Sequence, residues 1–150
     1  MKKPTREEVT PRVEWLNQYL RARRREQLAR QELDQARDAA LHLAPAEAGT
    51  RHPTGTHSDK TARAAERLDL ARRACSTAAL NSRLTFRRVS DAIAAVEDVN
   101  QREILRRRYL LGETLWQISI TMDIEYRWLR RLHQRAVLSA LPALPSVQRM

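Results

Sequence analysis

At 150 residues the chain suits one compact domain or two small ones, and its scarcity of glycine (3 residues) and aromatics (5%) beside abundant Ala, Leu, Arg, Glu and Gln excludes a sheet-rich fold. A formal net charge of +10 creates a long-range positive potential suited to nucleic acid, although 18 acidic residues leave a merely solubilising surface as the plainer reading. One cysteine, Cys75, excludes an intramolecular disulfide, and the lack of an 18-residue apolar run excludes a membrane span.

The opening MKKPTREEVT lacks the apolar core of a signal peptide, so a cytoplasmic location is expected. The first helix is predicted to begin at Thr10, a hydroxyl cap, with Pro11 at the first helical position, where a missing N–H costs nothing. Glu7 and Glu8 then stand beside the positive helix end. Val13, Leu16 and Leu20, followed by Ala29, Leu33, Ala36, Ala40 and Leu43, recur at helical spacing. The basic run Arg21, Arg23, Arg24 and Arg25 sits between them, and the helix is predicted to stop near Ala44 and Pro45. Residues 45 to about 58 (PAEAGTRHPTGTHS) have loop chemistry.

Ser58 or Asp59 is the predicted cap of a second long helix reaching about Val96. Its apolar positions are Leu68, Ala71, Cys75, Ala78, Phe86, Val89, Ile93 and Val96, with Ser82 interrupting the pattern. At 1.5 Å per residue each long helix extends roughly 45 to 55 Å. Two such helices joined by one loop predict an antiparallel hairpin over residues 1–97. The seams are Ala-rich and broken by polar residues, which makes coiled-coil pairing into a homodimer the expectation for this region.

From Asp98 the character changes: Trp, Ile, Leu and Tyr become denser and the helical signals shorter. Three helices are predicted, over 100–111 ending at Gly112, over 114–122 with Thr114 as cap, and over 125–141 stopped by Pro142. A frayed tail is expected over 142–150. Ile118 and Met122 share a face of the middle helix, Ile124 falls in the turn, and Leu129, Leu132 and Ala136 recur on the last helix. Ile104, Leu105 and Tyr109 can close that core, and Ser119 is small where the two helices must approach. This pattern predicts a helix-turn-helix over residues 98–141, and an all-α fold for the whole chain.

The outward residues of the last helix suggest its chemistry. Tyr126, Arg127, Arg130 and Arg131 lie near its amino end and project away from the Leu129/Leu132 face. A recognition helix meets base edges with that half, and arginine's forked donors match two adjacent acceptors of guanine. Arg106, Arg107, Arg108 and Arg135 are the candidate phosphate contacts, which add affinity without sequence information. His133 is expected behind this face, as a phosphate contact or as a helix-packing group. The plainer alternative is a solvated face laced with ion pairs. Against it, nine arginines face five carboxylates from Asp98 onward.

The stretch TLWQISITMDIEYRWLRRLHQRAVLSAL resembles the helix-turn-helix of bacterial sigma factor region 4, and REILRRRYLLGE resembles the helix before it. A nearer similarity is to the small phage regulators of the ArpU and RinA kind, which carry this module behind a helical amino terminus. RLH at 131–133 resembles their recognition helix, and PTGTHSDKT at 53–61 their loop before the second long helix. The resemblance implies activation of late phage or prophage genes, with double-stranded DNA and RNA polymerase as partners. It matches Tyr126, Arg127 and Arg131 to base-meeting positions, Arg130 to a neighbouring basic position serving the DNA backbone, and Thr114 and Leu115 to the start of the supporting helix, where they are further candidate phosphate contacts. Asp123 stands where many such modules have glycine, a geometry Asp tolerates better than most residues. Trp116 and Trp128 stand where polar residues are commoner; packing against the long helices is expected for Trp128, while Trp116 is left open. The first 97 residues hold only Trp15, Tyr19 and Phe86 as aromatics, too few and too scattered to open a promoter. An accessory activator is therefore expected rather than a free-standing sigma factor.

No chemistry for an enzyme or cofactor emerges. His52 and His57 have no cysteine or paired carboxylate to complete a metal set, and GTRHPTGT lacks the Gly-Lys-Ser/Thr ending of a phosphate loop. Two other readings stay open: a small-terminase-like DNA-packaging subunit, which also joins a helix-turn-helix to coiled-coil helices, and an adaptor that grips RNA polymerase without touching DNA.

Overall fold

The computed structural model describes residues 2–43 and 55–143, with side chains resuming at Ser58. Most of the expected loop, the side chains of His52 and His57, and the tail from 144 lie outside the described residues. Among those described there are six helices and no strand: α1 (Arg6–Leu16), α2 (Gln18–His42), α3 (Gly55–Ala94), α4 (Val99–Tyr109), α5 (Leu115–Thr121) and α6 (Tyr126–Ala140). The fold is all-α, and no described helix is long and apolar enough to cross a membrane.

The first helix starts earlier than its proline suggests. Thr5 is the N-cap, and its N–H donates to Glu8 Oε2 at 2.9 Å, which satisfies one of the amides that every helix start leaves over. That hydrogen bond also holds the Glu8 carboxyl below its ordinary 4.5. Pro11 therefore lies inside α1, not at its first position, and Thr10 is no cap. The helical ladder continues through Asn17, whose N–H donates to Val13 O at 3.0 Å while its carbonyl accepts from Arg21 N–H at 3.1 Å. Likewise α3 begins at Gly55, so Ser58 and Asp59 lie within it and do not cap it.

The chain packs as two compact units, Ala22–Ser82 on one hand and Met1–Arg21 with Arg83–Met150 on the other. The expected boundary between residues 97 and 98 is not a boundary of packing. Leu16 of α1, Val89 and Ile93 at the end of α3 and Val96 just beyond it share one buried cluster with Leu105, Tyr109, Ala136 and Val137. The physical reason is that the last turns of α3 present an apolar face that α4 and α6 cover.

In the Ala22–Ser82 unit, Ala29, Leu33 and Ala36 are buried on α2. On α3, Ala64, Leu68, Ala71, Cys75 and Ala78 are half-buried at steps of four and three. Ala36 shares a groove with Arg67, Leu70 and Ala71, and Leu43 shares one with Lys60 and Ala64, so the two helices run antiparallel. Ser82 does not interrupt the stripe of α3, because it and Thr85 are buried on it. Further along α3, within the other unit, Phe86, expected on the apolar face, is 44% exposed and meets Tyr19 edge-on at 5.1 Å.

In the other unit α4 serves two cores. Leu105 and Tyr109 face the cluster described above, while Ile104 joins Ile118 and Leu129 in a second, ringed by Leu115, Met122, Ile124 and Leu132. Gly112 leads from α4 towards α5 with φ +78, a conformation that side chains resist, while Glu113 N–H reaches back to Arg107 O at 3.0 Å. Two arginines staple helix ends. Arg12 Nε donates to Leu141 O at 2.5 Å and Nη2 to Pro142 O at 3.2 Å, fastening α1 to the end of α6. Arg102 Nε donates to Val96 O at 3.0 Å, fixing α4 to the close of α3.

Candidate nucleic-acid interface

The site is built from α5, the turn after it, and α6. Thr114 caps α5 reciprocally: its Oγ1 accepts from Gln117 N–H at 3.2 Å, and its own N–H donates to Gln117 Oε1 at 2.8 Å. At the other end, Asp123 takes the left-handed conformation with φ +53. Asp123 N–H donates to Ile120 O at 3.3 Å and Ile124 N–H to Ser119 O at 3.0 Å, the paired bonds of a Schellman ending. Ile124 packs on the Ile104–Ile118–Leu129 cluster, which fixes where the chain leaves α5. Ser119 is buried and its Oγ donates to Trp116 O at 2.6 Å, so this small polar group is satisfied within its own helix. Glu125 is the N-cap of α6, its carbonyl accepting from Leu129 N–H at 2.8 Å.

The two faces of α6 differ sharply. Leu129, His133, Ala136, Val137 and Ala140 are buried along one side. On the other, Tyr126, Arg127, Arg130, Arg131 and Arg135 are exposed. The helix contains no carboxylate, and no described carboxylate forms an ion pair with any of these four arginines. Arg127, Arg130, Arg131 and Gln134 line one shallow groove. The Arg130 guanidinium lies 5.9 Å from the Tyr126 ring centre, and that ring meets Trp116 edge-on at 5.6 Å, linking the starts of α5 and α6.

The candidates on α4 are held differently. Arg106 forms a fork on Glu103, with both nitrogens at 2.9 Å. Arg107 pairs with Glu103 at 2.7 Å and with Glu113 at 3.2 Å, and Arg108 Nη1 donates to Glu113 O at 3.1 Å. The Arg106 hydrogen bonds keep the Glu103 carboxyl below its ordinary 4.5. On α4 the ion-paired alternative is therefore the one present, with Glu103 and Glu113 as the partners. The signal was there, since Glu103 stands three and four residues before Arg106 and Arg107.

Three further expectations change. His133 is not a phosphate contact, because it is buried with its Nε2 2.7 Å from Tyr109 Oη and the rings stacked at 5.7 Å. Its helix-packing alternative is what the structure holds. Leu115 turns its side chain onto the second core, which leaves only its backbone for a ligand, whereas Thr114 is exposed. Trp128 is 44% exposed, with the Arg135 guanidinium 5.8 Å from its ring centre, and Trp116 is 61% exposed. Neither tryptophan is a core residue.

Burial pushes the His133 imidazole from 6.5 down to about 4, with Arg108 adding to the shift. The unfolded chain therefore takes up that proton first, so stability is full above about pH 6.5 and falls as pH drops towards 4. A loss of about 2 kcal/mol between pH 7.5 and pH 5 is expected in urea unfolding. The carboxyls of Glu8 and Glu103, held below 4.5, titrate beneath this window. His133→Gln should flatten the dependence, and an equal slope in the variant would contradict the assignment.

Comparison with protein-family models, curated proteins and solved structures finds no match to this chain.

Proposed function

We propose that this protein is a sequence-specific DNA-binding regulator of transcription, with α5, its turn and α6 acting as a helix-turn-helix and α6 entering the major groove. The observation that carries the reading is the outward face of α6. Arg127, Arg130 and Arg131 are exposed and without a described carboxylate partner, and a satisfied turn and a buried core hold the helix that bears them. Ion pairs on that face would have favoured a solvated surface; unpaired guanidiniums keep their donors for guanine edges and phosphates. Tyr126 stands at the leading end of the same helix, braced by Trp116 and Arg130. The left-handed Asp123 supports the reading as well, because it supplies the turn conformation for which glycine is the usual choice. Activation of late phage or prophage genes is the role we infer from the resemblance of residues 98–141 to sigma region 4 and to ArpU- and RinA-like regulators.

Selection from a pool of randomised DNA duplexes tests the proposal. The full chain should enrich one short motif containing guanine. A pool that remains unbiased after repeated rounds would contradict it.

A further inference from the structure

The second exposed flank of α6 carries a surface that the base-reading face does not account for. Trp128, Arg131, Arg135 and Leu138 lie three, four and three residues apart, so they form one stripe. Residues 2–4 run beside this stripe, and between them lies a groove of about 810 Å³. Four cations line it, Lys2 and Lys3 from the chain start and Arg131 and Arg135 from α6, and no carboxylate does. Lys2 and Lys3 are both exposed. Pro4 and Thr5 lead directly into the capped start of α1, and Arg12 fastens α1 to the end of α6. The lysines thus directly precede a capped helix that is itself fastened to the end of α6.

Resting on the proposed DNA-binding role of α6, we propose that this groove holds the phosphodiester backbone of a DNA duplex, with Lys2, Lys3 and Arg135 as its phosphate contacts. Charge complementarity argues for that occupant: four cations line the groove and no carboxylate does, the Glu8 carboxylate that Lys2 stabilises lying outside the lining, and this excess matches a polyanion and repels a basic partner. Position argues for it too, since Arg131 lines both this groove and the one shared by Arg127 and Arg130. A duplex whose bases meet Arg127 and Arg131 brings its flanking strand alongside Arg135. Trp128 fits as the wall, its apolar ring covered on one face by Arg135. The amino-terminal lysines therefore extend the footprint beyond the helix-turn-helix and contribute affinity without sequence information.

Fluorescence anisotropy with the full chain tests this on a selected duplex and a scrambled one, over a range of salt concentrations. Lys2→Ala with Lys3→Ala should weaken binding to both duplexes by the same factor, about tenfold or more, and reduce the salt slope by about 2. Lys2→Arg with Lys3→Arg should keep the slope, and Arg135→Gln should lower it by about 1. An unchanged slope in the double alanine variant, with the preference for the selected duplex intact, overturns the groove while the reading of α6 stands. Equal binding of both duplexes by the parent chain, with the slope still lowered by the lysine changes, supports the groove and sinks the specific reading. Loss of preference together with an unchanged slope overturns the groove as well, because the lysines would then act on the base-reading face.

Discussion

Replacing Arg127 and Arg131 together with alanine is expected to lower affinity for a selected duplex by about two to three orders of magnitude, while a scrambled duplex loses far less. Each forked contact with guanine discriminates by about 1 to 3 kcal/mol, and the two residues lie four apart on the exposed side of α6. Neither has an ion-pair partner among the described residues to leave stranded, so the unfolding midpoint should stay where it was. This combination separates recognition from folding: a large change in binding, none in stability. Equal losses on both duplexes would mean that these arginines hold phosphate and that the bases are read elsewhere or not at all.

The largest effect on stability is expected at Leu129. It is fully buried in the small core with Ile104 and Ile118, where α4, α5 and α6 meet. Leu129→Ala removes its share of apolar burial and leaves a cavity that three helices cannot close without moving, a loss of about 3 kcal/mol in urea or thermal unfolding. Because Leu129 lies between Arg127 and Arg131 in the chain, the same change should loosen the angle of α6 and weaken binding to the selected duplex even where the protein remains folded. Trp128→Ala, one residue away but 44% exposed, should cost well under half as much stability. A Leu129→Ala protein as stable as the parent would contradict the packing of this core.

Local chemistry made some features readable from the sequence. Thr114 with Gln117 three residues on, Gly112 before it and Pro142 after α6 are punctuation marks that act within a few residues, and the helices of residues 98–141 end close to them. At the amino end two local signals competed. Pro11 suits a first helical position, but Thr5 and Glu8 form the stronger cap, and the helix accepts an internal proline as a result. His133 was also readable in principle: it falls four residues after Leu129 and three before Ala136, on the buried stripe. The residue type alone leaves phosphate contact and helix packing both open, and the spacing favours packing.

What the sequence withheld depends on partners distant in the chain. Nothing local says that Leu16 and Val89 share a core with Val137, or that Arg12 caps the carbonyls of Leu141 and Pro142. The division of the long helices between two compact units follows from such contacts and not from composition. The same holds for Lys2 and Lys3, which read as an unremarkable charged start until the fold sets them beside α6. Trp128 is a further case, since its periodicity permits either burial or exposure and only the packing of α6 decides.

Whether α6 reads DNA sequence is decided most directly by the affinity of the unaltered chain for a selected duplex against a scrambled one as salt is raised. A recognition helix should give a preference of about a thousandfold or more that persists near physiological salt. Equal affinities that collapse together with rising salt would contradict it, leaving the arginines of α6 as a general grip on phosphate.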